Sequence, residues 1–474
     1  MPFKIDYTED GVVEWYASSA GTRIQTTTTY TPTIYAAAET ETHLANLTEK
    51  LALRGDVETV ARERWRPAFR RDPETVLRID VSSINRVQPL AGWIRRQDRP
   101  GTYRLFNVDF SREFRYCLEQ DCDPSPERAL RTLELGYPQP GEPEAPVTHL
   151  RIGDTEYETT PSEIITVLRD QLEADDPDVL ILSTAALVPA LFETAQQLEL
   201  SFQLGRRPGY ERLASQSTYE SYGQVGHSPA RYNVPGRAII DESNTFFYDE
   251  TNLDGCLDLV KRSRKSLQEL AWAQIRNVFI AIQISEAPSQ NALVPWKSWR
   301  HEFPKQMRQL HEADRGGFTF SPEVGVHENV HELDFSSLYP NIICTRNISP
   351  ETIRCDCHDR ADVPGLGYSI CDKPGYLPDV LQPIIDDRDE IKAAIRREKD
   401  RDDHDEDRLT ELEGRSGALK WILVSCFGYQ GFSNAKFGRI ECHEAINAFA
   451  REILMDAKTR LEEAGWQVVH GIVD

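Results

Sequence analysis

Apolar residues recur at Leu381, Ile384, Ile385, Ile391 and Ile395, the three-and-four spacing that lines one face of a helix. Pro378, which suits a first-turn position, precedes them. The spacing predicts a helix running through Arg388 and Lys392, and these two cations, four residues apart, share one face. A second helix carries Lys420, and the densely charged run 397–408 between the two reads as a solvated tip. The run Trp466-Gln467-Val468-Val469 predicts a strand. At Val330 and Leu333 an apolar lead-in ends on the isolated carboxylate of Asp334, followed by a tight turn with Tyr339-Pro340 and then Ile342-Ile343. That pattern predicts a buried strand presenting one anion at its end. Residues 136–146 are a Pro/Gly-rich loop and 288–299 a linker, with no internal repeat. Helix and strand signals over 474 residues imply an α/β chain of two to four domains.

An isolated carboxylate at a strand end can hold a hard metal ion, and clustered cations downstream can neutralise a polyphosphate. The ten residues Asp334-Phe335-Ser336-Ser337-Leu338-Tyr339-Pro340-Asn341-Ile342-Ile343 resemble the first catalytic motif of the family B DNA polymerases, D-x-x-S-L-Y-P-S-I-I, with Asn341 in place of Ser. Asn347-Ile348-Ser349-Pro350-Glu351-Thr352 is similar to the family's continuation, and Gly316-Gly317 with Glu328-Asn329 to the segment entering its palm. Lys420 through Gly428 resembles the second motif, K-x-x-x-N-S-x-Y-G, with Val424 for Asn and Phe427 for Tyr. His470-Gly471-Ile472-Val473-Asp474 resembles the third, Y-G-D-T-D-S, with Ile472 in the first Asp position and Asp474 in the second.

The resemblance, to an archaeal-type, divergent branch, implies an α/β multidomain fold. An RNase H-like exonuclease-type domain would precede a polymerase palm built on an antiparallel sheet, with helical fingers and no thumb. The implied layout is an N-terminal domain at 1–100, a 3′–5′ exonuclease-like domain at 101–287, linker and first palm segment at 288–376, fingers at 377–430 and further palm at 431–474. Asp334 and Asp474 would be the catalytic carboxylates, holding two Mg²⁺ or Mn²⁺ ions about 4 Å apart with the help of the Phe335 carbonyl. Ser337, Leu338, Tyr339, Arg388, Lys392 and Lys420 would bind the nucleotide, the Tyr339 ring excluding a 2′-hydroxyl. Through the resemblance alone, 103–111, 176–181 and 236–241 are read as strands of the exonuclease-like domain and 267–271 as a short helix. Exonuclease ligands are missing where the motifs align: Ser111 stands for a Glu, residues 183–188 hold no ligand, and the last helix is represented only by 267–271. The implied partners are primer–template DNA, dNTPs, a sliding clamp and a further polymerase portion carrying thumb and remaining palm, because the sequence stops inside the third motif. A split gene, an intein interruption and a truncation are all consistent with that end. Two readings follow: a slow DNA polymerase without proofreading, in replication or repair, or a non-catalytic DNA-binding or scaffolding relative.

Composition modifies this in one respect. The net charge of -23 opposes nucleic-acid binding by the chain as a whole. Only 12 of the 54 basic residues are Lys, leaving 42 Arg, and with 77 acidic residues this resembles proteins of salt-adapted organisms. DNA contact would then rest on a local cationic groove. No apolar run approaches a membrane span and no signal peptide opens the chain, so a cytoplasmic protein without membrane partners is expected. Nine cysteines in such a setting are expected to be reduced. Cys355, Cys357, His358 and Cys371 are ligand types for zinc but lack paired C-x-x-C spacing. The resemblance adds a disulfide in this interval in some archaeal relatives, for which Cys357 and Cys371 are the candidates, and free thiols remain the third alternative.

Overall fold

The computed structural model describes residues 1–474 apart from 10, 20, 222–223, 298–301, 314–317, 433–434 and 474. The chain separates into two compact units, at points other than the domain boundaries expected from sequence. One comprises Met1–Pro32, Phe110–Gln274 and Glu406–Ala418; the other comprises Thr33–Asp109, Ile275–Asp405 and Leu419–Asp474.

In the first unit, the strands Pro2–Thr8, Gly11–Ser18 and Gly21–Thr27 form an antiparallel meander. A mixed sheet of five strands is ordered Thr155–Glu158, His149–Ile152, Thr132–Gly136, Val179–Leu182, Ala238–Asp241. The interior strand Val179–Leu182 runs parallel to both neighbours and is buried throughout, which is why its sequence is an unbroken apolar run rather than an alternation. The helices Pro161–Asp175 and Leu187–Gln197 bury Ile164, Leu168, Leu172, Leu187 and Leu191 against Leu133, Leu135, Leu180 and Leu182. Thr160 accepts from the Glu163 amide and Pro161 follows it, a capped start legible in the sequence.

The second unit opens with strand Thr33–Ala38, helix Glu41–Leu51, strands Val57–Trp65 and Glu74–Val81, helix Val87–Arg95 and strand Tyr103–Phe106. These give an antiparallel sheet ordered Val57–Trp65, Glu74–Val81, Thr33–Ala38, Tyr103–Phe106, a split βαβ arrangement. Ile34, Leu77 and Ile79 of the sheet pack on Leu47, Leu51, Leu90 and Ile94 of the helices. This corrects the reading of 103–111 as the first exonuclease strand. Tyr103–Phe106 closes the sheet of the second unit, whereas Thr132–Gly136 holds the corresponding central place in the five-stranded sheet. A buried four-residue strand beside an apolar neighbour of the same sheet looks alike in either position, so pattern alone did not separate them.

The remainder of the second unit is mainly helical: Ile275–Ser285, Leu338–Thr345, Tyr376–Lys399 and Ile440–Glu463, together with the later part of Glu406–Gly431. Both helices expected around the charged tip are present, with residues 400–405 as the turn. The expected strand leading to Asp334 is not. Residues 321–335 have no strand, and Val330 and Leu333 are 61% and 74% exposed. A strand persists only where its amides and carbonyls find a ladder, and here just Thr319–Phe320 pairs, with Gly471–Ile472, extended by the Glu323 amide donating to Val469 O at 2.8 Å. The expected strand 466–469 is likewise irregular, its successor Gly471–Ile472 being the paired one. The antiparallel palm sheet is therefore represented among the described residues by this single ribbon. No helix of the described residues is long and apolar enough to cross a membrane.

Candidate active site

Residues 347–352 form a hydrogen-bonded clamp beneath the helix Tyr376–Lys399. Asn347 Nδ2 donates to Cys371 O (2.8 Å) and Lys373 O (2.9 Å), and its Oδ1 accepts from the Gly375 amide (2.7 Å). Ser349 Oγ donates to Glu351 (2.6 Å), while Glu351 Oε1 accepts from the Tyr376 amide (2.7 Å). The first amides of the helix, which lack intrahelical partners, are thereby occupied. Burial pushes the Glu351 carboxyl above its usual range, opposed by these donors. Each part of the N-I-S-P-E-T sequence thus sets where the cationic helix begins. Asn347→Ala, which strands three backbone groups, is expected to cost about 2 kcal/mol and to lower the thermal midpoint of the second unit by several degrees; differential scanning calorimetry checks it.

The Asp334 turn is built next to this clamp. Ser337 takes a left-handed conformation (φ 49°), and Asn341 Nδ2 donates to Ser336 O (3.0 Å) and Ser337 O (3.1 Å). Asn in place of Ser therefore has a purpose: its amide reaches back across the turn that a hydroxyl would span less fully. Within Leu338–Thr345, the Tyr339 ring stacks on Phe427 at 4.1 Å, and Phe427 stacks on His443 at 4.1 Å. Three nearly parallel rings fix the orientation of Tyr339, and Phe427 serves this packing without a hydroxyl.

Opposite the turn, Ser336, Asp389, Lys392, Ile395 and Arg396 line an open cavity of about 390 Å³. Desolvation, reinforced by Arg388 and Arg396, holds the Lys392 ammonium below the usual lysine range, while Asp389 and Asp334 oppose this. Asp334 is therefore close enough to Lys392 to act on it electrostatically. Arg388 is half-buried, and burial also lowers its pKa. Arg396 was missed by the sequence reading, although its place four residues beyond Lys392 extends the series 388, 392, 396 on one face. Asp334 and Phe335 are exposed, and Ser337, Leu338 and Tyr339 are partly buried. Lys420 is exposed on its helix, its ammonium 5.9 Å from the Trp421 ring centroid; among the described residues no contact joins it to Arg388 or Lys392. Val424 and Ile472 are 57% and 55% exposed, apolar side chains where the motifs call for an amide and a carboxylate. Asp474 lies outside the described residues.

The donor set tests the expected pair of metal ions. Asp334 contributes one exposed carboxylate, and among the described residues it belongs to no cluster of three His, Cys, Asp or Glu donors. The described residues alone therefore do not fit a closed two-ion site, and no chemical step is derived through one.

In the first unit, Lys265 and Arg151 pair with carboxylates near the expected exonuclease positions. Ser111 precedes the helix Arg112–Glu119, and its Oγ donates to Glu269 at 2.7 Å. Glu269 also accepts from the Glu113 amide (3.0 Å) and the Phe114 amide (3.2 Å), with Lys265 Nζ 3.5 Å away. The carboxylate on 267–271 is thus a helix-terminus anchor, and a helix N-terminus favours an anion there. At the far end of Thr132–Gly136, Arg151 pairs with Glu134 at 3.2 Å, and its guanidinium lies where a side chain on Gly136 would project. Sequence pattern could have shown Leu133-Glu134-Leu135 as an alternating strand, but nothing marked Arg151 as the cation beside it.

The site thus brings a turn carrying one exposed carboxylate beside a helix that presents Arg388, Lys392 and Arg396, an arrangement chemically suited to phosphate groups. The family model described as DNA polymerase family B matches residues 272–473 of this chain. DNA polymerase 2 of Saccharolobus solfataricus is 34% identical over 210 residues, 44% of this chain and 30% of that protein. DNA polymerase 1 of Pyrococcus abyssi is 33% identical over 189 residues, 40% of this chain and 24% of that protein. The chain thus spans less than a third of the length of these curated relatives. The structure of the family B DNA polymerase from Pyrobaculum calidifontis matches 99% of this chain and 73% of its own, with a TM-score of 0.73 at 19% identity. That match extends the likeness in fold over both units.

Proposed function

We propose that residues 272–473 are palm and fingers segments of a template-directed DNA polymerase that works without proofreading. The carrying observation is the cavity between the Asp334 turn and the Lys392–Arg396 face, inside the family B segment. An incoming dNTP brings roughly four negative charges, and phosphoryl transfer asks a protein mainly to position and neutralise them. Arg388 and Arg396 would grip phosphate oxygens bidentately, and Lys392 and Lys420 would act as compact charges. Tyr339, held by its ring stack, would sit against the sugar. Asp334 and Asp474 would supply the carboxylates, with the Phe335 carbonyl, for two divalent ions, Mg²⁺ or Mn²⁺. Primer–template DNA, a sliding clamp and a thumb-bearing polymerase portion are the partners this reading proposes, in a soluble setting of high ionic strength. The first unit would keep an RNase H-like exonuclease architecture in which Gly136, on the strand that takes the place expected for 103–111, offers no ligand and has the Arg151 guanidinium beside it.

The exposed Val424 and Ile472 favour a second reading, a non-catalytic DNA-binding relative. Primer extension by the natural full-length gene product separates the two. The polymerase reading expects template-matched extension with Mg²⁺ or Mn²⁺ and no metal-dependent removal of a mispaired 3′ nucleotide. Absence of extension with either metal sinks it, and excision of the mispaired nucleotide sinks the claim about proofreading.

A further inference from the structure

Between the clamp and the cationic helix, residues 353–371 fold back as a knuckle. Ile353 and Ile370 form a β-bridge, the Arg354 amide donates to Ser369 O (2.7 Å), and the Cys371 amide donates to Thr352 O (2.9 Å). Asp362 accepts from the Ile370 amide (2.7 Å), and Arg360 ties Asp362 to Asp372. Three side chains of zinc-ligand type converge inside this knuckle, and a fourth, Cys371, adjoins them through Cys357. Cys355 Sγ lies 3.5 Å from His358 Nε2, and Cys357 Sγ lies 3.5 Å from Cys371 Sγ. The donor atoms of Cys355, Cys357 and His358 all lie within 4.8 Å of one another.

We propose that Cys355, Cys357, His358 and Cys371 form a structural zinc site of Cys₃His type. With zinc–sulfur bonds of about 2.3 Å and zinc–nitrogen bonds of about 2.0–2.1 Å, a tetrahedral ion sets its donors roughly 3.5–3.8 Å apart. Both observed pairs meet that requirement. A disulfide between Cys357 and Cys371 would use two of the four donors and leave the convergence of Cys355 and His358 on the same point without a cause. The sequence lacks paired C-x-x-C spacing, yet the bridge of Ile353 with Ile370 brings the two arms together and makes such spacing unnecessary.

The surroundings suit the exchange of protons for a metal. Without an ion, His358 Nε2 donates to Ile370 O at 3.0 Å. When the ion takes that nitrogen, Ile370 O keeps a donor in Arg360 Nη2 at 3.3 Å. Cys355 Sγ donates to Ser369 Oγ at 3.8 Å, and Ser369 Oγ donates to Cys355 O at 3.0 Å, which holds this arm of the knuckle in place. Asn347 holds the carbonyl of Cys371, so the knuckle and the start of the cationic helix share one residue. An ion here would fasten the loop to the helix that carries Arg388, Lys392 and Arg396.

Metal analysis of the chain purified with a thiol reductant and no strong chelator tests this. Zinc close to one equivalent per chain is expected, and Cys355→Ser or Cys371→Ser should each lower retention against a weak chelator by at least about tenfold. Cys117→Ser, in the other unit, should retain the ion. Cobalt(II) added to the metal-free chain should produce thiolate-to-cobalt charge-transfer absorption and the intense visible bands of a tetrahedral ion. This measurement needs no substitution, so a variant that fails to fold leaves the test intact. Two results overturn the proposal: no zinc together with no cobalt bands, or peptide mapping that shows Cys357 joined to Cys371. An iron–sulfur chromophore in place of zinc overturns it as well.

Discussion

Asp334→Ala is expected to lower template-directed extension by the full-length protein at least about 10³-fold, with little change in nucleotide affinity. The proposed chemistry has few carboxylates to draw on: Asp389 lines the cavity from the helix of Lys392, and Asp334 is the one on the motif turn, two residues before the lining Ser336. The cations that would bind the triphosphate lie on a separate helix, anchored by Asn347 and Glu351, so their positions do not depend on Asp334. Loss of folding does not account for the effect either, because Asp334 is exposed and such substitutions usually shift stability by about 0.5 kcal/mol or less. Single-turnover extension measured across dNTP concentrations separates the two parameters. Extension by Asp334→Ala at the unmodified rate would remove Asp334 from the mechanism.

The second large effect concerns stability and pH. The Glu113 carboxyl is bonded to the hydroxyl of Ser266, itself fully buried, while the rest of Glu113 is partly exposed. Burial and the neighbouring Glu269 push its pKa up to about 8, with Lys4 and the Ser266 hydrogen bond opposing. A carboxyl whose folded pKa lies above its unfolded value binds its proton more tightly in the folded chain. Its stabilising contribution is complete below about pH 4.5 and is lost as the pH rises through about 8. The rise from 4.5 to about 8 sets an upper bound of about 5 kcal/mol on that loss. Glu113→Gln should therefore be more stable than the unmodified chain above pH 8 and show a flatter profile. Urea unfolding of both proteins between pH 5 and 9 is the measurement, and coincident profiles would contradict the assignment. Other charged groups facing the pair are Lys4, Asp6 and Lys265.

What the sequence disclosed and what it concealed have different physical origins. The paired helices around residues 397–408 were legible because a helix carries its periodicity within itself: Leu381, Ile384, Ile385 and Ile391 are buried as the spacing required. The clamp at 347–352 was legible as a motif but not as a mechanism, since its partners at 371, 373 and 375 lie across a loop. Strands were read less well. Whether 103–106 belongs to one sheet or another, and whether 330–333 finds a ladder at all, depends on neighbours distant in sequence. The same limit applied to the site. Asp334, Tyr339, Arg388 and Lys392 were marked by local motif, Arg396 by helical register alone, and the convergence of Cys355, Cys357, His358 and Cys371 by neither, because a β-bridge assembles it.

Arg151 constrains substitution at Gly136. Its guanidinium occupies the space beside Gly136, with Nε 2.7 Å from where a Cβ would stand. A carboxylate reintroduced at 136 by a single mutation would meet that guanidinium first and be neutralised by it, leaving nothing to recruit a cation from solution. Leaving that carboxylate free would require a second change at Arg151, which on its own unpairs Glu134 and removes a donor from Gly153 O. The two positions are therefore coupled: a change at either one alone does not place an unpaired carboxylate at this end of the strand.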